Sequence, residues 1–164
     1  MLKDLFLINA DHFEAKCPAA HWENRIKRQK TRYGRKIMNW MIFISGLAAG
    51  FVNLGHFTVG SKDFLKPMLQ ANFEDVPKKV MHCVFHYVSA YLVLSFIVLM
   101  AIGLGFSFGT EDKLLVRFIA INYFLFAITQ IVIAAASNIP KGVIKLFQWI
   151  FFMGIAIFAW IGTS

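Results

Sequence analysis

The chain predicts an all-α fold, a four-helix transmembrane bundle preceded by a short amphipathic surface helix, and three observations lead there. Its 164 residues are 58% hydrophobic and 16% aromatic, with mean hydropathy +0.60, whereas soluble domains lie nearer about 45–50% apolar. Four apolar runs approach or exceed the roughly 20 residues that a bilayer core requires. The formal charge of +8 is also uneven. Arg25, Lys27, Arg28, Lys30, Arg32, Arg35 and Lys36 face only Glu23 immediately ahead of the first run.

The chain divides into an amphipathic and polybasic segment, residues 1–36, and a four-helix domain, residues 37–164. Leu5-Phe6-Leu7-Ile8 is too short for a secretory signal, and the positive charge follows it rather than precedes it. Leu2, Leu5, Phe6, Asn9 and Phe13 recur at roughly helical spacing, which fits a helix lying on the membrane surface until Pro18 stops it. His12 and His21 read as solvated. The basic block 25–36 suits anionic lipid and topology. No nucleic-acid-binding module accompanies it, so nucleic acid is not expected as a partner. Cys17 and Cys83 fall on opposite sides of the first crossing, which argues against pairing, and one cysteine per region excludes a CxxC or zinc-ribbon motif. Cys83 reads as a small packing residue.

The first span is expected over residues 37–56, with Trp40 as an interfacial anchor. Its Gly46-Leu47-Ala48-Ala49-Gly50 is a small-xxx-small pattern that serves either dimerisation or packing within the bundle. Gly60, Ser61, Pro67 and Pro77 predict a long loop from Phe57 to Lys79, of a length that is often functional. The second span, residues 80–106, exceeds the bilayer requirement and so tilts or projects. A turn with Gly109, Glu111 and Asp112 leads to the third span, residues 114–136, and Ser137-Asn138-Ile139-Pro140 leads to the fourth, residues 141–161. The basic flank before the first span places both termini in the cytoplasm of a bacterial inner-membrane protein. The far ends of the spans then face outward.

Polar residues gather at those outer ends: Asn53, His56, His82, His86, Ser89, Gln130, Ser137, Asn138, Lys145 and Gln148. The inner halves carry chiefly Ser45, Ser95 and Asn122, and no Asp or Glu lies inside a span. Polar side chains in lipid are costly and normally face the interior, so a polar cavity is expected in the outer half and an apolar plug in the inner half. Gln130 and Gln148 read as bridges between helices, Lys79 and Lys145 as snorkelling cations. The missing membrane carboxylate demotes proton-coupled transport.

His82 and His86, four residues apart, share one helix face, and His56 closes the preceding run near the same interface. Three imidazoles with one open position suit a transition metal, with His56, His82 and His86 as ligands. Alternatively, His56 and His86 on facing helices clamp a haem, with Asn53 and Ser89 as supporting partners. A quinone between Phe57, Phe85 and Tyr87 is a third option, and purely interfacial histidines a fourth.

The succession Gly55-His56, Gly60, Pro67 and Phe85-His86 followed by Ser89 resembles small bacterial four-helix integral membrane proteins of unassigned function. The resemblance spans about residues 37–161 and implies an inner-membrane family without an activity; His82 departs from its pattern. The expectation is therefore an inner-membrane protein binding a metal or haem for electron transfer or ion handling. The competing readings are a non-enzymatic accessory subunit packed on another membrane protein or on its own copies, and a small transporter.

Overall fold

A computed structural model describes Glu23 and residues 37–164. The surface helix and basic block expected within residues 1–36, with His12, His21 and Cys17, lie outside the described residues. The described part is helical and without strands. In order it comprises α1 (Trp40–Gly55), a π-helical segment (His56–Leu65), α2 (Lys66–Gln70), α3 (Asp75–Gly103), α4 (Asp112–Ala136), α5 (Gly142–Lys145) and α6 (Trp149–Ile161).

Three rods are long and apolar enough to cross a membrane: Trp40–Gln70 with 31 residues, α3 with 29 and α4 with 25. These mark an integral membrane protein. At about 1.5 Å per residue α3 is roughly 43 Å long, beyond the roughly 30 Å of bilayer hydrocarbon. One end of it therefore projects or the rod tilts.

Two expectations need correction. The long loop from Phe57 to Lys79 does not form. Helical structure runs unbroken from Trp40 through Gln70, and α3 begins at Asp75, so the connection shrinks to residues 71–74. The π-helical segment makes this feasible. Its wider turns, seen where the Lys66 N–H donates to the Ser61 carbonyl, spread the backbone in front of Pro67. Pro67 itself falls in the first turn of α2, where its missing N–H costs least.

The fourth span is not one helix. Lys141 is left-handed at φ 58°, α5 ends after four residues, Leu146 turns out of helical geometry at φ −99°, ψ 56°, and α6 has only 13 residues. That is about 20 Å of rise, short of the hydrocarbon thickness. The Trp149 Nε1–H donates to the Val143 carbonyl at 3.1 Å and staples the break. Gly142 approaches α4 so closely that a Cβ there would meet the Ala134 carbonyl oxygen at 2.7 Å.

α1 packs along both α3 and α6, and α6 along α4, while α3 and α4 touch more lightly. Their shared core includes Ile42, Ala49, Leu92, Leu99, Val116, Ile119, Tyr123 and Ile155. Between helices in lipid there is little hydrophobic driving force, so close approach and hydrogen bonds carry the packing. Close approach is visible at the glycines. A Cβ on Gly46 would stand 2.9 Å from the Met100 sulfur and 3.1 Å from its amide nitrogen, and one on Gly103 would stand 2.7 Å from the Phe43 backbone. The Gly46/Gly50 pattern is thus consumed inside the bundle by α3.

At the end remote from the histidines, Asn39 ties three helix ends together. Its Oδ1 accepts the Ile42 N–H of α1, its Nδ2 donates to the Gly162 carbonyl beyond α6 at 2.7 Å, and its own amide donates to the Gly103 carbonyl of α3 at 2.9 Å. The neighbouring turn closes on buried Asp112, which accepts from the Ser107 hydroxyl at 2.6 Å and the Phe108 amide at 3.0 Å.

Candidate functional site

The residues anticipated for a site separate into two groups at one end of α1 and α3. The first joins the helices. His56 leads the π-helical segment, its ring stacked on Phe85 of α3 at a centroid distance of 4.2 Å and 17° between planes. Its Nε2 lies 2.9 Å from the Ser89 Oγ. The Ser89 hydroxyl gives its single proton to the Phe85 carbonyl at 2.8 Å, so His56 must donate through Nε2–H and keep its lone pair on Nδ1. A turn deeper, Asn53 spends both amide protons on the Ala49 and Leu92 carbonyls at 2.9 Å each. Asn53 Oδ1 is buried without a hydrogen-bond partner.

The second group is the pair His82 and His86. Their Nε2 atoms are 3.0 Å apart and their ring centroids 4.9 Å. One ring donates and the other accepts. The helical period sets where the pair points: Phe85, Ser89 and Leu92 face α1, Tyr91 and Ser95 turn toward α4, and His82 and His86 fall on the flank of α3 away from α4. His86 is exposed and His82 half-buried. Counted from Gly103, His86 lies about 26 Å and His82 about 32 Å along the helix.

The three imidazoles therefore do not form one ligand set. Among the described residues, no group of three His, Cys, Asp or Glu side chains is arranged to hold a metal ion. The physical reason is that His56 is engaged by Ser89 and Phe85 between α1 and α3, while His82 and His86 occupy the adjacent flank. Ser89 hydrogen-bonds to the His56 ring. Asn53 is committed to backbone carbonyls.

Where a polar cavity is expected, polar groups bond to one another or to backbone carbonyls. Gln130 Nε2 donates to Gln148 Oε1 at 2.7 Å, bridging α4 to the break before α6 as anticipated. Ser137 back-bonds to the Ala134 carbonyl. A hollow of about 410 Å³ lies instead along α3 beside Val76, Lys79, Val80, Cys83, Val84 and Tyr87, and the histidines do not line it.

Sequence reasoning missed a network one level deeper. The Ser95 hydroxyl donates to the Leu92 carbonyl at 3.0 Å, so the Tyr123 hydroxyl, 2.8 Å away, must donate to Ser95 Oγ. Since Asn53 also donates to Leu92, this chain of bonds links α4, α3 and α1. Tyr123 is fully buried among Tyr91, Phe126 and Phe152. Spacing offered a partial signal, because Ser95 lies one turn from Leu92 on α3, but nothing in the sequence ties it to Tyr123.

Comparison of the chain with protein-family models, with curated proteins and with solved structures gives no match.

Proposed function

We propose that this chain is a small integral membrane protein of the bacterial inner membrane, with its histidine end outward, that takes up a divalent transition-metal ion through His82 and His86. One observation carries the reading: two imidazoles on one helix face bring the same ring nitrogen together, with Nε2 atoms 3.0 Å apart. Two nitrogens on one tetrahedral zinc, at metal–nitrogen distances near 2.0–2.1 Å, lie about 3.3 Å apart. Admitting the ion takes a few tenths of an ångström of opening and a turn of each ring by roughly 35°, so that both Nε2 atoms point at the metal rather than at each other. The donating ring then moves its proton to Nδ1, and both Nε2 lone pairs face the metal.

With Gly103 placed at the cytoplasmic boundary of the roughly 30 Å hydrocarbon layer, the pair falls at the opposite headgroup level, which a hydrated cation reaches without crossing hydrocarbon. Imidazole suits zinc, copper and nickel. The basic block 25–36, expected to sit on anionic lipid at the cytoplasmic face, is consistent with this orientation. Haem between His56 and His86 fits less well. The His56 ring rests on Phe85 at 4.2 Å, and a porphyrin between the helices would have to displace that stack together with the Ser89 hydrogen bond.

The test is metal content and affinity of protein purified in mild detergent, by elemental analysis and competition with a chromophoric chelator. Bound metal should be lost in His82→Ala and His86→Ala and retained in His56→Ala. A Soret band abolished by His56→Ala would replace the proposal with haem. Stable co-purification of a second membrane protein, with no metal, would replace it with an accessory subunit.

A further inference from the structure

We infer that the metal site is shared between two copies of this chain, each contributing His82 and His86 from the flank of α3; the inference rests on the metal reading above. The donor count leads to it. Zinc, copper and nickel take four or more donors, and each chain presents two at this point, with no third His, Cys, Asp or Glu in reach among the described residues. His56 cannot supply the third without releasing Ser89 and the face of Phe85.

The membrane supplies the partner by symmetry. Copies inserted with one orientation can form a closed pair only about an axis along the membrane normal, so identical residues meet at identical depth. His82 and His86 of one copy then face His82 and His86 of the other, giving four imidazoles around one ion. A different partner would need donors of its own at that same depth. The surface below the pair permits the approach. One to three turns deeper on the same flank stand Ala90, Val93 and Ile97, a small residue followed by β-branched ones, with Ala90 and Ile97 exposed. The small-residue pair Gly46 and Gly50 of α1 is already occupied within the bundle by Met100 and Phe96, so that pattern is not free to carry the contact.

The experiment measures mass in detergent, by sedimentation or native mass spectrometry, together with the metal-to-chain ratio, for protein stripped with chelator and then supplied with zinc. The expected result is a dimer formed on zinc addition, one ion per two chains, dispersed by chelator. His82→Ala and His86→Ala should each prevent it. Ala90→Trp, which leaves the histidines intact, should hold the copies apart and weaken zinc binding at least about tenfold. One ion per chain on a monomer overturns the shared site while the proposed metal binding stands. A dimer that survives chelator or Ala90→Trp also overturns it. No zinc bound at all removes both readings.

Discussion

Replacing Gly103 by alanine should open the α1–α3 seam, and the size of the effect follows from the coordinates. The new Cβ would stand 2.7 Å from the Phe43 Cα and amide nitrogen, which are backbone atoms and cannot swing aside. To reach ordinary contact near 3.4 Å the helices must part by about 0.7 Å, and a gap of that order forfeits a quarter to a half of each dispersion contact it touches. Overpacking of this kind typically costs about 1–3 kcal/mol. The Asn39 amide bond to the Gly103 carbonyl, 2.9 Å, weakens with it, for a further loss of about 1 kcal/mol. Alanine's better helix propensity returns up to about 1 kcal/mol. The net expectation for Gly103→Ala is a destabilisation near 2 kcal/mol. Gly46→Ala should follow closely, since the Met100 sulfur can yield but its amide nitrogen at 3.1 Å cannot. Gly55→Ala, where a Cβ meets nothing within 4 Å, should be neutral or slightly stabilising. Denaturation by sodium dodecyl sulfate in mixed micelles, followed by circular dichroism, gives the three values. If Gly103→Ala and Gly55→Ala behaved alike, the packing account would be refuted.

Other expectations concern the polar contacts. Tyr123→Phe leaves Ser95 Oγ without its donor and should cost about 0.5–1.5 kcal/mol, with a coupling to Ser95→Ala near 0.6 kcal/mol in a double-mutant cycle; a coupling of zero would mean the bond contributes nothing. Asn39→Ala removes two side-chain bonds that join α1 to the end of α6 and should destabilise by about 1–2 kcal/mol, with faster amide exchange at the ends of α1 and α6. Leucine at both Gln130 and Gln148 removes a bond but also the orphaned, buried Gln130 Oε1, so the pair of changes should be close to neutral. A strong loss there would show that Gln130 and Gln148 contact more than each other.

The helical class and the third span were legible, because bilayer thickness imposes long apolar runs and charge marks their flanks. The buried polar residues, by contrast, are spread along the bundle, from Asn53 and Ser89 at one end to Asp112 and Thr163 at the other. The π-helical segment was not. Gly60, Ser61 and Pro67 carry every mark of a loop, and only the wider turn, which sequence periodicity does not encode, keeps His56 to Gln70 helical. The fourth run likewise reads as one helix from composition, whereas left-handed Lys141 and the tight crossing at Gly142 break it. At the site, spacing alone placed His82 beside His86 and put Ser89 on the same face as that pair, whereas Ser89 turns to His56 at the end of α1. It could not show that Phe85 and Ser89 point to α1 while the histidine pair turns to the adjacent flank, since that depends on which face of α3 the neighbouring helices cover. Asn39 and Tyr123 went unnoticed for the same reason: their partners are distant in the chain.

The coordination of zinc by His82 and His86 is tested most directly by X-ray absorption on the zinc-loaded protein. Imidazole nitrogen at about 2.0–2.1 Å, with the outer-shell scattering of the ring, is the expected signature, and it should vanish when both residues are alanine. A spectrum of oxygen ligands alone, or one unchanged by the double substitution, would contradict the account.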